Sequence, residues 1–379
     1  MSKVHEDFDH NSKEFRADPI PYYQKLREEG TGKSKNYGGV WFVPTYEDVR
    51  KMSHDTESFS PAQGTMFPPM NTPLIPMETD PPIHGKYRQL LMREFAPKAI
   101  AEWAPVIRQT ASDMLDEIFA EPPYDLGLDY AKMMPTAVIC EMLGIKFEPV
   151  FQQWVEDSVY SRIDDRAAAQ AATDSIYKMF GELLTERREN PGKDLVSLVA
   201  NAEVDGEPLS DEVVLDFCHF LLVAGLDNTG FTIRALLMHI GQDPELQKRL
   251  IENPKDIPNA VEEALRFFSP VIALGRHATK DVEFSGCPMH KGEGTVMLFG
   301  CANRDPKEFE NPDEFDIDRF PNRHVAFGVG PHRCLGSNLA RVEITIAIEE
   351  ALKKFPNYKL GEGVVTRYDD LGPMVVEKA

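Results

Sequence analysis

The sequence has no long uninterrupted hydrophobic segment and no apolar stretch near its N-terminus. Its most apolar region, from Phe217 to Ile240, is interrupted by Asp227, Asn228 and Arg234, which a membrane-spanning helix does not normally carry at its centre. The first residues, MSKVHEDFDHNSKEF, lack the apolar core of a signal peptide. These absences predict a cytoplasmic protein without a membrane span.

Basic residues are few relative to acidic ones. The 379 residues include 41 Lys+Arg and 62 Asp+Glu, which gives a net charge of −21 at pH 7. Nucleic acid is therefore not expected as a partner, because binding a phosphate backbone requires a basic surface. Hydrophobic residues make up 42% of the chain, and we find neither an internal repeat nor a flexible linker. We predict one continuous domain over residues 1–379.

Cysteines are also few, and their spacing excludes two kinds of site. The five are scattered along the chain without the paired spacing of a zinc site or a disulfide framework, at Cys140, Cys218, Cys287, Cys301 and Cys334. Each cysteine must therefore be considered singly.

Helical periodicity dominates from about residue 100 to 268. Ser210 is a good N-cap, and the apolar positions after it predict a long helix from Asp211 to about Gly241, with Asp243 and Pro244 starting the next. Short alternating segments predict strands at Val40–Pro44, Val282–Phe284 and Thr295–Leu298. The fold class is therefore mainly α with small β-sheets, that is, α+β.

The segment FGVGPHRCLG, residues 327–336, contains a single cysteine among glycines and precedes a helical pattern that begins near Ser337. Glycine allows unusual backbone dihedrals and the close approach of a flat ligand. A helix N-terminus, together with His332 and Arg333, favours the thiolate form of Cys334. The alternative is a buried structural cysteine beside a tight turn.

This segment resembles the cysteine loop of the cytochrome P450 family, F-x-x-G-x-H/R-x-C-x-G, with matches at Phe327, Gly330, His332, Cys334 and Gly336. Other motifs of the family occur in the correct order, and the resemblance extends over nearly the whole chain.

Glu263 and Arg266 match the family's E-x-x-R motif, and Arg319 matches the arginine that completes this ion-pair network. Charges buried near the cysteine side of a haem are tolerated only when they are paired. The alternative for an isolated E-x-x-R is a solvated helix pair of little energetic consequence.

The resemblance implies the cytochrome P450 fold. This is a triangular, helix-rich prism that holds haem b between a long distal helix and the helix after the cysteine loop. Cys334 would be the axial iron ligand. The implied haem contacts are the propionate partners His84, Arg88, Arg276 and His324 and the loop residues Phe327, Gly328, His332, Cys334 and Gly336. Cationic and imidazole donors suit propionate carboxylates, although Arg276 alone is also compatible with surface charge and His324 with a core histidine.

The distal helix departs from the family pattern. Ala224 and Gly225 are small, which leaves room against the haem, and Asp227 occupies the position of the proton-relay acid, but Asn228 replaces the usual threonine. Thr229 comes one residue later, about 100 degrees around the helix. Asn228 either positions a relay water, orients an oxygen atom of the substrate, as in some relatives acting on oxygenated monoterpenes, or is a neutral replacement.

The family places substrate contacts on four segments of the chain. The matching residues are Met66, Phe67, Met70, Met77, Leu221, Ala224, Val271, Ile272, Leu274 and Met374. Methionine and aliphatic side chains line apolar pockets. A small apolar substrate is therefore expected, and the resemblance of Asn228 to the residue in relatives acting on oxygenated monoterpenes implies a monoterpenoid.

The resemblance implies a monooxygenase that uses dioxygen and two electrons from an external ferredoxin or flavodoxin with its reductase. This carrier would dock on a basic patch at Lys86, Arg88, Arg93, Arg333 and Arg341. Two alternatives stay open, a peroxide-driven haem hydroxylase and a non-catalytic haem sensor. A helical interaction protein without haem would require every motif to be coincidental.

Overall fold

The computed structural model describes residues 4–362, 364 and 373–377. Helices dominate this part of the chain, as predicted. They are α1 Val4–Asp7, α2 Lys13–Ala17, α3 Ile20–Glu29, α4 Tyr46–His54, α5 Ile83–Met92, α6 Pro97–Ala120, α7 Met133–Leu143, α8 Val150–Tyr160, α9 Arg166–Glu189, α10 Leu195–Ala200, α11 Asp211–Gln242, α12 Pro244–Glu252, α13 Ile257–Phe268, α14 Phe299–Ala302 and α15 Ser337–Lys354.

The strands are short and form small sheets. They are β1 Gly32–Lys33, β2 Trp41–Val43, β3 Phe59–Ser60, β4 Tyr124–Asp125, β5 Glu203–Val204, β6 Glu207–Pro208, β7 Ala273–Ala278, β8 Val282–Phe284, β9 Cys287–Met289, β10 Gly294–Leu298, β11 Lys359–Leu360 and β12 Val375–Glu377. The largest sheet has the order β1-β2-β10-β7-β3, in which β10 runs parallel to β2 and antiparallel to β7. The three predicted strands correspond to β2, β8 and β10.

Helix α11 is the long helix predicted between Ser210 and Gly241, and it extends one residue further. The Ser210 hydroxyl accepts a hydrogen bond from the amide of Val213, which satisfies one of the free donors at the helix N-terminus. The helix packs against α7, α9, α13 and α15, and most of its side chains are buried. It is therefore the central element of the main hydrophobic core.

Among the described residues, α11 is also the one helix with the length and hydropathy of a membrane span. Of its most apolar window, 61% is buried inside the protein. A buried core helix meets the same criteria, so this helix is weak support for a membrane span.

The cysteine loop closes on itself before α15 begins. The backbone amide of Cys334 donates a hydrogen bond to the carbonyl of Phe327 at 2.8 Å. Gly328 and Gly330 have φ of 63° and 74°, and a Cβ at Gly330 would lie 2.5 Å from the carbonyl oxygen of Ser53. Glycine is therefore required at Gly330 both by its dihedrals and by the close approach of the last turn of α4.

Helix α13 brings the E-x-x-R charges together. Arg266 Nη2 lies 2.7 Å from Glu263 Oε1, both side chains are fully buried, and Arg319 Nε lies 3.2 Å from the same oxygen. The second carboxylate oxygen of Glu263 accepts from Asn322 Nδ2 at 3.0 Å. The charges are thus mutually paired, which is the condition for burying them.

Candidate active site

Two histidines form the centre of a buried donor cluster. His84 on α5 and His332 in the cysteine loop stack with ring centroids 3.8 Å apart. His84 Nε2 and both ring nitrogens of His332 are buried without a hydrogen-bond partner in the described part of the chain. Unpaired buried polar atoms are costly, so these nitrogens indicate a ligand that accepts hydrogen bonds.

Two arginines add positive charge to this donor cluster. Burial, followed by the charges of Arg88 and Arg276, lowers the pKa of His84 to about 4. Arg276 on β7 is buried, and this burial lowers its pKa to about 10. Its Nη1 donates to the carbonyl of Gly275 at 2.7 Å, within its own strand. Two guanidinium groups beside imidazoles without acceptors fit the carboxylates of a buried anion.

Cys334 lies near this cluster, and its side chain is exposed. Desolvation by the surrounding protein raises the pKa of its thiol, and this effect outweighs the amide of Gly336 and the charges of Arg88, Arg333 and Arg341, which lower the pKa. The amide of Gly336 and the neighbouring cations thus act in the direction predicted from the sequence, toward the thiolate. A bound metal ion would complete the deprotonation, since a thiol that coordinates a metal loses its proton.

On α11, Ala224 is exposed and Asn228 is half-buried, whereas Thr229 is only 8% exposed. Ala224 and Asn228 are four residues apart and so share one face of the helix. The Thr232 hydroxyl donates to the carbonyl of Asn228 at 2.8 Å. The open face of the helix therefore presents Asn228, while Thr229 points into the protein.

Asp227 points toward α8 and not along the open face. Its Oδ1 accepts a hydrogen bond from Gln152 Nε2 at 3.0 Å. Burial, followed by the charge of Glu156, raises its pKa, while hydrogen bonds from Tyr160 and Gln152 and the charge of Lys132 act in the opposite direction. A raised pKa increases the fraction of Asp227 that is protonated, and a proton donor must be protonated before it can act.

Gly225 was predicted to leave room against the haem, but in the structure it lies against a neighbouring helix. A Cβ at this position would lie 2.8 Å from a side-chain carbon of Ile139 on α7. Glycine is therefore needed for the close packing of α11 on α7, and the space on the open face depends on Ala224.

His324 is not available as a propionate partner, which corrects the sequence-based expectation. Its Nε2 lies 3.0 Å from Glu262 Oε2, and its Nδ1 accepts from the amide of Ala326 at 3.3 Å. Both ring nitrogens are thus used within the protein. Glu262, the first acidic residue of the VEEALR segment, is the partner that sequence reasoning missed.

Three predicted substrate contacts are core residues instead. Phe67 is buried against β7 and β10, where its ring lies 2.3 Å from a Cβ built on Gly275 and 2.6 Å from one built on Gly294. Met374 is fully buried and Leu221 is 6% exposed, both in the main core. Apolar composition did not distinguish these residues from pocket-lining ones. The predicted contacts that stay accessible are Ala224, Met66, Met70, Met77, Val271, Ile272 and Leu274.

The predicted basic patch is reduced by ion pairing. Lys86 pairs with Asp205 at 2.6 Å and Arg341 with Glu262 at 2.5 Å. Arg88 is close enough to Cys334 for the two groups to interact electrostatically. Of the five predicted cations, Arg93 and Arg333 stay exposed.

Comparison with known proteins identifies the family. The cytochrome P450 family profile matches residues 146–359. Mycinamicin IV hydroxylase/epoxidase of Micromonospora griseorubida is 34% identical over 85% of this chain and 83% of its own length. A putative cytochrome P450 of Bacillus subtilis is 33% identical over 89% and 88%. The crystal structure of CYP109E1 from Bacillus megaterium in complex with testosterone superposes with a TM-score of 0.88, at 29% identity, over 97% of this chain and 100% of that one.

The chain belongs to the cytochrome P450 family and is a haem-thiolate monooxygenase with the mainly α fold of that family. Its cofactor is haem b with a cysteine thiolate as iron ligand. The donor cluster fits this group, because His84, Arg88, Arg276 and His332 would supply donors for its propionates beside the exposed Cys334, which would hold the iron. When bound, haem supplies the centre that activates dioxygen, and thiolate ligation favours cleavage of the O–O bond.

Proposed function

We propose that this enzyme hydroxylates a small apolar substrate, a monoterpenoid in the first instance, with electrons from an external ferredoxin or flavodoxin and its reductase in the cytoplasm. One C–H bond is converted to C–OH while the second oxygen atom leaves as water, so each turnover takes up two electrons and two protons. The observation that carries the proposal is Asp227, an acid with a raised pKa, next to Asn228 on the open face of α11.

The accessible pocket residues support an apolar substrate. Met66, Met70 and Met77 on the loop before α5 are half-buried, as are Val271 and Leu274. Leu274 lies on the same face of β7 as Arg276, because side chains two apart in a strand point the same way. Leu274 is therefore on the side of the strand that faces the donor cluster.

The experiment that tests the substrate class is a titration of the ferric protein with monoterpenoids, steroids and fatty acids, followed by the Soret band. A substrate that displaces axial water moves the band to shorter wavelength, and we expect compact oxygenated monoterpenoids to do so at micromolar concentration. Structures of the B. megaterium relative contain testosterone and corticosterone. A response to steroids alone would contradict the monoterpenoid proposal. No response from any compound would favour a sensor role.

Asn228→Ala is expected to lower the yield of product per electron pair and to change the position of hydroxylation. A neutral hydrogen bond contributes about 0.5–1.5 kcal/mol, which corresponds to a two- to tenfold change in yield. Product analysis together with peroxide release measures this effect. Thr229→Val, which replaces the adjacent buried residue with an isostere, should leave both quantities near wild type. Unchanged yield and regiochemistry in Asn228→Ala would show that Asn228 is a neutral replacement.

Arg93→Glu is expected to slow reduction by an acidic electron carrier, because Arg93 is exposed and complementary charge accelerates encounter. The reduction rate should fall most at low ionic strength, where screening is weakest. Lys291→Glu is the matched control, because it reverses the charge of an exposed residue in the turn between β9 and β10. Reduction of the wild-type enzyme at a rate independent of ionic strength would contradict electrostatic docking.

A further inference from the structure

We infer that Gln152 is a positioning residue for Asp227 and that its side-chain amide fixes the orientation of this carboxyl, the acid of the proposed proton relay. This inference rests on the proposed function, since it assigns a partner to the acid of that function.

Gln152 is buried on α8, and its hydrogen-bonding groups are engaged on both sides. Its Oε1 accepts from the Thr136 hydroxyl at 2.9 Å, and its Nε2 donates to Asp227 Oδ1 and to Glu156 Oε1, both at 3.0 Å. The amide nitrogen has two hydrogens and here serves two carboxyl groups. The opposite orientation of the amide would place its oxygen against both carboxyl groups, so the network determines how the side chain is turned.

Glu156 and Asp227, the two carboxyl groups bonded to the Gln152 amide, have partners of different charge. Glu156 forms an ion pair with Lys132 Nζ at 2.6 Å. Asp227 has neutral partners, Gln152 and the Tyr160 hydroxyl. A cation in place of Gln152 would hold Asp227 as a carboxylate, whereas an amide orients the carboxyl in either protonation state. Asp227 can therefore release a proton and regain one without losing its position.

The same helix provides a matched pair of variants. Gln152→Met keeps the length of the side chain and removes the donor. The remaining groups keep partners, because Thr136 also donates to the carbonyl of Lys132 at 3.2 Å and Glu156 stays paired with Lys132. Gln153→Met is the control, since the neighbouring Gln153 makes the equivalent bond to Asp157 at 2.9 Å on the exposed side of α8.

We expect kcat of Gln152→Met to fall about tenfold, with more peroxide released and a larger solvent isotope effect, because a hydrogen bond to an ionisable group is lost. The substrate Kd and the spectrum of the reduced carbon monoxide adduct should match wild type. The infrared band of the Asp227 carboxyl, assigned by its loss in Asp227→Asn, should shift in Gln152→Met. Gln153→Met should behave as wild type. Gln152→Glu, which keeps the shape but when ionised has no donor, should show the same loss of kcat.

The outcomes distinguish this inference from the proposed function. If Asp227→Asn retains wild-type coupling, the proposed role of the acid fails and the inference fails with it. If Asp227→Asn is impaired while Gln152→Met and Gln152→Glu keep wild-type kcat and isotope effect, the inference alone is overturned. A changed substrate Kd or carbon monoxide spectrum in both Gln152 variants would show a general structural role and would also overturn it.

Discussion

Cys334→Ser is expected to abolish substrate hydroxylation and to remove the red-shifted Soret band of the reduced carbon monoxide adduct. A serine hydroxyl is far less acidic than a thiol and is a poor ligand for iron, so the electron donation that favours O–O cleavage is lost. Optical spectra of the purified variant and a product assay measure both effects.

The fold should survive this substitution. The Cys334 side chain is exposed, and the hydrogen bond that closes its loop uses the backbone amide. Urea unfolding should therefore give a midpoint close to that of wild type. Cys287→Ser is the control, because Cys287 is a half-buried cysteine in β9 whose thiol donates to the carbonyl of Thr31 at 3.3 Å. A Cys334→Ser variant that keeps the red-shifted band would show that another residue ligates the iron.

Glu263→Gln is expected to destabilise the protein by about 3–5 kcal/mol, because it leaves Arg266 as an uncompensated buried charge. The guanidinium of Arg266 would keep its bonds to the carbonyls of Asn303, Pro312 and Glu314, at 2.7–3.0 Å. Carbonyl dipoles replace only part of the lost ion pair. Since a protein is stable by roughly 5–15 kcal/mol, low yield and poor haem retention should accompany a large decrease in the unfolding free energy.

The matched control is Glu262→Gln, one residue earlier on α13. Glu262 is 33% exposed and pairs with His324 and Arg341. Burial raises its pKa, but hydrogen bonds and charges from these partners outweigh burial and lower the pKa to about 2. A lowered carboxyl pKa stabilises the fold above the ordinary value near 4.5, and this contribution is lost as the pH falls toward 2. Glu262→Gln should thus weaken the acid dependence of unfolding. Its contribution is fully present at pH 7, but its loss there should destabilise the protein less than Glu263→Gln does, because the partner Arg341 is 30% exposed and water can solvate its charge. An equal decrease in unfolding free energy in Glu262→Gln and Glu263→Gln would contradict a special role for the buried network of Glu263, Arg266 and Arg319.

The local chemistry of the site could be predicted from the sequence because motif residues are close along the chain. The spacing in FGVGPHRCLG sets a turn before α15, and Glu263 and Arg266 are neighbours on any helix. Helix α11 and its cap at Ser210 follow from local periodicity in the same way. The sequence by itself therefore determined the class of enzyme, the cysteine loop and the acid on the distal helix.

The contacts between distant segments were decided by the tertiary structure. The stacking of His84 on His332, the pairing of His324 with Glu262 and the bond from Gln152 to Asp227 each join residues far apart in sequence, where spacing gives no geometry. Phe67 has the apolar side chain expected of a pocket residue, and only its packing against Gly275 and Gly294 shows that it belongs to the core. Apolar side chains gain from burial in a core and in a pocket alike, so the three-dimensional packing alone separates the two.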